Sequence, residues 1–203
     1  MPRHDKVEGF ILAGGESGRM GRDKALLELG GITLLQRTAQ LIEPLLARLA
    51  VVGPAGRYDS LALRVIPDDA PGAGPLGAIA TALRHSTGEW NLIVACDLPY
   101  LTADWLDFLI YRALASQSDA LLPHTEGGPE PLCAMYRTSA GAAISAALER
   151  GVRKITDGLA GLQVGKLSPV EWKEFDSAGR LFKNMNSRAE YDEARAWFDG
   201  PKR

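Results

Sequence analysis

Near its N-terminus the chain reads Ile11-Leu12-Ala13-Gly14-Gly15-Glu16-Ser17-Gly18-Arg19-Met20-Gly21-Arg22-Asp23-Lys24. The apolar run from Val7 to Leu12 predicts a buried strand, and glycines then interrupt it while Arg19, Arg22 and Lys24 bring positive charge into the same loop. Glycine lets backbone N–H groups converge on an anion, because it has no Cβ and adopts positive φ at little cost. The stretch therefore predicts a strand that opens into a phosphate-binding loop, in preference to a glycine-rich surface turn.

Beyond this loop, apolar segments of strand length alternate with segments of helical periodicity. We predict strands at 7–12, 49–52, 63–66, 91–95, 120–123, 131–136, 162–167 and 181–186, and helices at 33–42, 74–83, 102–116, 139–150 and from 187 onward. Alternation of this kind is typical of a mostly parallel sheet that is covered by helices on both faces. We therefore predict a single-domain α/β protein over residues 1–203.

Composition limits the classes of function that are open to this chain. Its 203 residues, 46% of them hydrophobic, suffice for one domain with a substantial core. A formal net charge of −2 provides no basic field for a polyanion, so we expect no nucleic-acid partner. Cys96 and Cys133 lack metal-site spacing, which favours two reduced core thiols. No long apolar stretch follows a basic start, so we expect no signal peptide, no membrane span and a cytoplasmic location.

Chemically distinctive residues follow three of the predicted strands. The glycine-rich loop follows the first strand, Asp68 follows the run that ends at Ile66, and Asp97 follows the run that ends at Ala95. Ligands of open α/β sheets bind beyond the carboxyl ends of the strands, so these groups should converge on one crevice. A carboxylate at the end of a wholly apolar strand suits Mg²⁺ that also contacts substrate phosphates. Because Thr102 can cap the next helix, we assign Asp97 to the metal and not to capping.

The glycine-rich loop fits neither common nucleotide fingerprint. Lys24 precedes Ala25 where a P-loop needs Ser or Thr, and the glycines at 14, 15 and 18 do not follow the Rossmann spacing. A literal Gly-x-Gly-x-x-Gly does occur at 72–77. It does not follow a strand directly, and Pro75 lacks the N–H that a pyrophosphate would need. We therefore disfavour a dinucleotide-dependent dehydrogenase.

Two amides near the C-terminus are further candidates. Asn184 and Asn186 lie just ahead of Ser187-Arg188-Ala189-Glu190, which predicts a capping box at the start of the last helix. If residues 181–186 form a strand, both amides face the same side and reach one ligand. The alternative is local turn chemistry, which asparagine also favours. The three histidines, His4, His85 and His124, have no neighbouring nucleophile, which favours surface or capping roles.

These motifs together resemble those of one known family. Residues 12–24 match without a gap the Leu-Ala-Gly-Gly-x-x-x-Arg-Met-Gly-x-Asp-Lys signature of nucleotidyltransferases, and most closely that of the molybdenum cofactor guanylyltransferases. The family's Cys-Asp-x-Pro, Gly-Pro-Leu and Asn-x-Asn motifs are similar to residues 96–99, 74–76 and 184–186. The resemblance extends from Phe10 to about Trp197. One departure is Gly53, where enterobacterial-type members tend to carry Asn.

The resemblance implies a Rossmann-like nucleotidyltransferase fold and the transfer of GMP from GTP to the terminal phosphate of molybdopterin carrying molybdenum. It implies Mg²⁺ as cofactor, a nucleotide-binding half over about 7–118 and an acceptor-binding half over about 119–200. The implied nucleotide-binding residues are Leu12, Ala13, Gly14, Gly15, Arg19, Lys24, Asp68 and Asp97. Among them Lys24, Arg19 and Asp97 are the implied catalytic residues, and Asp97 is the implied metal ligand. Asn184 and Asn186 fall on the side of the acceptor.

Simple chemistry agrees with this interpretation. A phosphate monoester is already largely ionised at neutral pH, so the acceptor needs no general base, and we expect direct attack without a covalent nucleotidyl-enzyme. Three alternatives remain: a cytidylyltransferase for the same cofactor, a sugar-phosphate nucleotidyltransferase, and a non-catalytic nucleotide-binding adaptor. The presence of both Lys24 and Asp97 argues against the adaptor. The resemblance also implies transient contacts with the proteins that hand over the cofactor to this protein or receive it.

Overall fold

The structure of the protein is a computed structural model, which describes residues 3–14 and 23–200. Its centre is an eight-stranded sheet with the strand order β10-β7-β9-β6-β1-β4-β5, to which β8 is added beside β7. A separate antiparallel ribbon joins β2 and β3. The strands are β1 His4–Leu12, β2 Glu28–Leu29, β3 Ile32–Thr33, β4 Leu46–Val52, β5 Val65–Ile66, β6 Trp90–Ala95, β7 Ala120–Thr125, β8 Gly128–Pro129, β9 Cys133–Arg137 and β10 Val164–Leu167.

Within residues 3–14 and 23–200, seven α-helices surround the sheet. They are α1 Leu34–Ile42, α2 Gly74–His85, α3 Ala103–Leu114, α4 Ala140–Glu149, α5 Ile155–Gly158, α6 Pro169–Trp172 and α7 Arg188–Asp199. Short 3-10 helices occupy Lys24–Leu26, Glu43–Leu45, Asp59–Leu61 and Lys173–Phe175. In the order of the main sheet β9 is antiparallel to β6 and to β7, whereas the other neighbouring pairs are parallel. The predicted mostly parallel α/β sheet is therefore confirmed.

Alternation along β1 explains why the sheet is covered on both faces. Ile11 packs in one hydrophobic cluster together with side chains of α1 and α3, such as Leu35 and Leu106. Phe10 packs in another cluster together with side chains of α2 and α4, such as Leu76. Burial of each such side chain contributes about 1.5–3 kcal/mol. The strand is thus fixed from both faces, and its C-terminal end is held in place for the loop that follows.

Side-chain caps start three of the helices, and two of these caps, Thr102 and Ser187, were predicted from the sequence. Thr33 accepts a hydrogen bond from the Gln36 N–H at 3.2 Å and forms a capping box with that residue at the start of α1. Thr102 accepts from the N–H of Trp105 at 3.3 Å at the start of α3. Ser187 forms the predicted capping box at the start of α7. These side chains satisfy backbone donors that have no partner inside the helix.

The strand predicted for residues 181–186 is wrong. Leu181 and Phe182 form a turn, and the backbone from 183 to 186 is irregular. The amide of Leu181 donates to the Asp176 carboxylate, that of Met185 donates to the carbonyl of Asp97, and that of Asn186 donates to the carboxylate of Glu190. The amide of Lys183 donates to the carbonyl of Arg180 as well, so four of the six backbone donors of residues 181–186 are used outside a strand ladder.

Several predicted element boundaries also differ from the structure. The first strand begins at His4 and β4 at Leu46, three residues before each predicted start, whereas β5 contains only Val65–Ile66. Helix α2 extends to His85 and α3 ends at Leu114. Helix and strand ends depend on hydrogen bonds to neighbouring elements, which periodicity alone does not reveal.

The order of the strands creates a crevice beside β1. From β1 the chain passes to β4 on one side and later to β6 on the other, so the connections diverge at this strand. Leu12, at the end of β1, is in register with Val52 of β4 and with Ala95 of β6. Open α/β sheets bind ligands outside the carboxyl ends of the strands at such a switch point. Among the described residues, no helix is both long and apolar enough to cross a membrane.

Candidate functional site

Three of the predicted site residues meet beyond the carboxyl ends of β1 and β6. The Nζ atom of Lys24 lies 3.6 Å from Oδ2 of Asp97 and donates a hydrogen bond of 2.6 Å to Oδ1 of Asn186. The side chains of Lys24 and Asp97 are each 22% exposed, so their charges are only partly screened by water. Lys24 follows β1, Asp97 follows β6 and Asn186 precedes α7. The fold therefore brings together three residues that are far apart in the sequence.

The segment that carries Lys24 is fixed by its neighbour in sequence. Asp23 accepts a hydrogen bond from the amide of Ala25 at 3.0 Å and so caps the short helix Lys24–Leu26. The other carboxylate oxygen of Asp23 pairs with Arg57 at 3.3 Å. The backbone at Lys24 is therefore anchored, while its side chain extends towards Asp97.

Burial and charge act on Asp97 in opposite directions. Desolvation raises the pKa of the Asp97 carboxyl, and the nearby Lys24 ammonium lowers it again. A desolvated carboxylate gains free energy from any cation that approaches it, since the charged form has lost part of its hydration. The carbonyl of Asp97 accepts from the amide of Met185 at 3.0 Å, which ties the end of β6 to the segment before α7.

Asn186 is held by the capping box of α7. The amides of Asn186 and Ser187 both donate to Oε2 of Glu190, at 2.8 and 2.7 Å. This arrangement directs Asn186 towards Lys24, whereas Asn184 is exposed. The argument that both amides share one face of a strand does not hold, because the segment is not a strand.

The last residues of β1 use part of their hydrogen-bonding capacity inside the sheet. The carbonyl of Leu12 accepts from the amide of Cys96 at 3.3 Å, and the amide of Ala13 donates to the carbonyl of Val52 at 2.9 Å. The carbonyl oxygen of Leu12 retains a second lone pair, which a ligand can use. Gly14 is exposed, and a Cβ placed there would have no heavy atom within 4 Å. Gly15 and Arg19 lie outside the described residues.

Sequence reasoning missed the role of Tyr58. This residue is fully buried, and its hydroxyl lies 3.0 Å from the carbonyl oxygen of Ala13 and 3.0 Å from Oδ2 of Asp23. Burial, and then the charge of Asp23, raise its pKa, so the hydroxyl keeps its proton and donates it to one of these acceptors. Ala13 and Asp23 stand on either side of segment 14–22, so Tyr58 ties together the two ends of the glycine-rich loop.

The glycine at position 53 allows the close contact between Ala13 and Tyr58. A Cβ at Gly53 would lie 2.4 Å from the carbonyl oxygen of Ala13 and 3.1 Å from Cε2 of Tyr58. The first distance is far shorter than any normal contact, and the atom that it would meet is backbone. Glycine at this position therefore lets β1 and the Tyr58 ring approach one another, and an asparagine would not fit here without a shift of the backbone.

Asp68 lies on the far side of the crevice. Its Oδ1 atom accepts from the amide of Ala70 and from the hydroxyl of Thr81, each at 2.9 Å, so the side chain is anchored to α2. It follows β5, which is three strand positions from β6, a separation on the order of 14 Å at normal strand spacing. Asp68 and Asp97 therefore do not meet at one point, but they can contact opposite ends of an extended ligand.

The glycines at 72–77 serve the entry to α2. Gly72 and Gly74 have φ values of 82° and 70°, in the region that favours glycine, and Pro75 occupies the first turn of the helix. A loop separates the end of β5 at Ile66 from the start of α2 at Gly74, so the strand does not turn directly into the helix. The pattern therefore lacks the structural context of a dinucleotide-binding site.

The site as described offers one carboxylate to a metal ion. Among residues 3–14 and 23–200 there is no cluster of three or more His, Cys, Asp or Glu side chains placed to hold a metal. Mg²⁺ is commonly held by one or two carboxylates together with water and substrate phosphates, and does not need a complete protein cage. Asp97 alone therefore fits Mg²⁺ that arrives with a nucleotide, and does not fit a structural Zn²⁺ site.

Comparison with known proteins gives a consistent result. A family model described as the MobA-like NTP transferase domain matches residues 9–164. The chain is 32% identical over 194 residues to a probable molybdenum cofactor guanylyltransferase from Chloroflexus aggregans, with 92% of each chain covered. It is 34% identical over 182 residues to a protein of the same name from Carboxydothermus hydrogenoformans, which covers 90% of this chain and 91% of that relative.

A solved structure agrees with these relatives. Molybdopterin-guanine dinucleotide biosynthesis protein A from Archaeoglobus fulgidus superimposes with a TM-score of 0.84 at 26% sequence identity. The match covers 96% of this chain and all of the other chain. The similarity therefore extends over nearly the whole chain, including both residues 7–118 and residues 119–200.

Proposed function

Because the chain belongs to the family of MobA-like NTP transferases, we propose that it transfers GMP from GTP to the terminal phosphate of molybdopterin carrying molybdenum. The products are molybdopterin guanine dinucleotide and pyrophosphate. The observation that carries this proposal is the meeting of Lys24, Asp97 and Asn186 at the carboxyl ends of two central strands. Such a group of a cation, a carboxylate and an amide suits the alignment of two phosphorylated ligands.

The reaction requires little covalent chemistry from the protein. An oxygen of the acceptor phosphate forms a bond to the α-phosphorus of GTP, and the bond from that phosphorus to the bridging oxygen of pyrophosphate breaks, with the electron pair leaving on pyrophosphate. Lys24 and Arg19 bind the triphosphate in this proposal and offset the repulsion between two polyanions. Charge neutralisation and alignment of this kind account for most of the catalysis in related phosphoryl transfers.

Asp97 is the residue that would hold Mg²⁺. Its carboxylate stands at the mouth of the crevice, is partly desolvated, and is opposed by a single ammonium group. When it is bound, Mg²⁺ supplies positive charge that polarises the phosphate oxygens of the nucleotide. In the absence of nucleotide, Lys24 neutralises Asp97 and prevents an uncompensated partly buried charge.

The two substrates occupy different sides of this group of residues in the proposal. The nucleotide extends from Asp97 over Leu12, Ala13, Gly14 and Gly15 towards Asp68 beside β5. The acceptor lies on the side of β9 and β7, within reach of Asn184 and Asn186. Asn186 stands at the junction, because it contacts Lys24 and follows Met185, whose amide is bonded to Asp97.

The test is pyrophosphate release by the purified protein with Mg²⁺ and molybdopterin carrying molybdenum. Each of GTP, CTP and ATP is supplied in turn, and a sugar 1-phosphate replaces the acceptor in a parallel set. Release that depends on GTP and molybdopterin supports the proposal. Faster release with CTP identifies a cytidylyltransferase, and release only with the sugar phosphate identifies a sugar-phosphate nucleotidyltransferase. Nucleotide binding without release in any combination identifies an adaptor.

A further inference from the structure

One carboxylate near the proposed acceptor side has no role in the scheme above. Glu130 follows β8 in the connection between β7 and β9, and its side chain is half-buried. Desolvation raises the pKa of its carboxyl, and a hydrogen bond from Thr125 lowers it again. Among the described residues no cationic side chain lies within 4.0 Å of its oxygens. A sheltered carboxylate without a cationic partner costs free energy unless a ligand uses it.

The register of the sheet places Glu130 near Asp97. Strand β9 pairs with β6 so that Cys133 lies opposite Val94, and the amide of Ala95 donates to the carbonyl of Leu132 at 2.8 Å. Continued for two more residues, this register sets position 130 opposite Asp97. The chain instead turns towards β7, where the amide of Glu130 donates to the carbonyl of Pro123 at 2.8 Å.

Glu130 therefore lies at the carboxyl edge of the sheet, one to two strands from Asp97. Strand β7 is two positions from β6 and runs parallel to it, since both are antiparallel to β9. At normal strand spacing the separation is on the order of 10 Å. This direction is opposite to that of Asp68, which follows β5 on the other side of β1.

Hydrogen bonds fix the Glu130 carboxylate while leaving one oxygen available. The Thr125 hydroxyl lies 3.1 Å from Oε1 of Glu130 and accepts from the amide of Gly127 at 3.2 Å. The backbone of Glu130 is fixed as well, because its carbonyl accepts from the amide of Cys133 at 3.2 Å. In the part of the chain that the structure describes, Oε2 has no hydrogen-bond partner. The carboxylate is thus oriented before any ligand arrives.

The chemistry of a fixed, desolvated carboxylate selects a particular kind of ligand. It accepts hydrogen bonds, and Oε2 together with the second lone pair of Oε1 matches a ligand edge that presents two parallel N–H donors. The 2-amino-4-oxopyrimidine edge of a pterin presents an amino group and a ring N–H in this way. We propose that Glu130 binds the aminopyrimidinone edge of the pterin acceptor and thereby selects a pterin over other phosphate monoesters. The proposal rests on the proposed function for the identity of the acceptor.

The test compares two fluorescent ligands and two variants. The first ligand is 6-hydroxymethylpterin monophosphate, and the second is the matching lumazine, in which an oxo group replaces the 2-amino group. The first variant is Glu130→Gln, which keeps the volume of the side chain but replaces one acceptor oxygen by a donor. The second is Glu126→Gln, a control in the same turn, whose side chain is exposed. Dissociation constants are measured by fluorescence titration at saturating Mg²⁺, and melting temperatures establish that each variant folds.

We expect Glu130→Gln to weaken binding of the pterin about 10- to 100-fold, the effect of losing hydrogen bonds to a charged group. Lumazine binding should be weak in the wild type and should not weaken further in this variant, because the Gln amide can donate to the 2-oxo group that the carboxylate repels. The control should bind the pterin as the wild type does. The KM for GTP should not change, because in the proposed arrangement the nucleotide extends from Asp97 towards β5, away from β7 and Glu130. Equal pterin binding by wild type and Glu130→Gln, or the same loss in the control, would overturn the proposal.

The two proposals fail in different ways. If the wild type binds the pterin through Glu130 but transfers no nucleotide, the proposed reaction is wrong and the pterin site remains. If the wild type transfers GMP to molybdopterin while Glu130→Gln leaves both the acceptor KM and pterin binding unchanged, the reaction stands and the Glu130 assignment is wrong.

Discussion

The Nζ atom of Lys24 donates a hydrogen bond of 2.6 Å to Oδ1 of Asn186, across 162 positions of sequence. This bond joins the segment that follows the glycine-rich loop to the N-terminal end of the last helix. Because Asp97 lies 3.6 Å from the same Nζ atom, the ammonium group is held between an amide and a carboxylate. A nucleotide phosphate that binds Lys24 therefore approaches a cation that is already oriented.

The first prediction separates the roles of the two asparagines. Asn186→Ala removes an acceptor from the Lys24 ammonium and should lower kcat/KM for GTP about tenfold, the lower end expected for a hydrogen bond to a partly exposed charged group. Asn184→Ala should raise the KM for the acceptor and leave the KM for GTP unchanged, since Asn184 is exposed and is assigned to the acceptor in the proposed arrangement. Steady-state kinetics with each substrate varied in turn provide the measurement. An effect of Asn184→Ala on GTP alone would contradict the assignment.

The second prediction concerns Lys24 and Asp97. Lys24→Ala should lower kcat/KM for GTP on the order of 100- to 1000-fold, because a positive charge aimed at the transferring phosphates is lost. Asp97→Asn should lower activity at every Mg²⁺ concentration and remove the response to added metal. His85→Ala is the control, since this exposed histidine at the end of α2 pairs with Asp69 and not with Lys24 or Asp97. Wild-type kinetics in either site variant would refute the assignment of these residues.

The third prediction is that nucleotide binding depends on metal. Addition of GTP at about 100 times its Kd should stabilise the folded protein by about 2.7 kcal/mol when Mg²⁺ is present. Removal of Mg²⁺ with a chelator should abolish most of this stabilisation and the pyrophosphate release, and excess Mg²⁺ should restore both. Asp97→Asn should show the smaller, metal-independent stabilisation under both conditions. Equal stabilisation by GTP with and without Mg²⁺ in the wild type would argue against metal-linked binding.

The fourth prediction is a preference for GTP. Guanine offers N1–H and an amino group as donors, and the carbonyls of Leu12 and Ala13 each keep a lone pair at the end of β1. Adenine presents an acceptor at N1, which cannot donate to these carbonyl oxygens, so each hydrogen bond that guanine makes and adenine does not would cost about 0.5–1.5 kcal/mol. Parallel turnover measurements with GTP, ATP and CTP test this expectation. Turnover of CTP equal to or above that of GTP would show that these acceptors do not select guanine.

The fifth prediction concerns the buried tyrosine. Tyr58→Phe keeps the ring beside Gly53 but removes the hydroxyl that ties Ala13 to Asp23, so the KM for GTP should rise while the protein remains folded. The loss of one buried hydrogen bond should cost about 1–3 kcal/mol of stability, because a buried acceptor is left unpaired. Tyr111→Phe, at a position that is 66% exposed, is the matched control.

Gly53→Ala provides the opposite variant at the same place. It keeps the hydroxyl of Tyr58 but forces a Cβ against the carbonyl oxygen of Ala13. We expect a larger loss of stability than in Tyr58→Phe, because backbone must move. Chemical denaturation and GTP kinetics of the three variants test whether the ends of the loop have to be held together. An unchanged KM for GTP in Tyr58→Phe would show that the hydroxyl does not position the loop.

Local patterns in the sequence predicted most of the fold. The apolar run of β6 and the caps at Thr102 and Ser187 are properties of neighbouring residues, so they could be predicted without a structure. The positions of Lys24 and Asp97 after strands were equally visible, because parallel strands in a doubly covered sheet end at one edge.

Residues 181–186, where the predicted strand is wrong, are the exception. Residues 181–186 have the composition of a strand, yet Asp176, Asp97 and Glu190 take their backbone donors. Asp176 and Glu190 lie within five residues of the amides that they bind, whereas Asp97 comes from the distant end of β6. Local turn and capping bonds therefore competed with the strand, and one tertiary contact, which no local window contains, acted with them.

The sequence by itself determined the elements of this protein, their alternation and the chemical types of residue at the strand ends. Only the tertiary structure decided which side chains meet. The contact of Lys24 with Asn186, the position of the Tyr58 hydroxyl between Ala13 and Asp23, and the approach of Glu130 to the edge near Asp97 all depend on strand order and register. A pairing across many tens of residues has no periodic signature in the chain, because it arises when the buried faces of separate elements pack together.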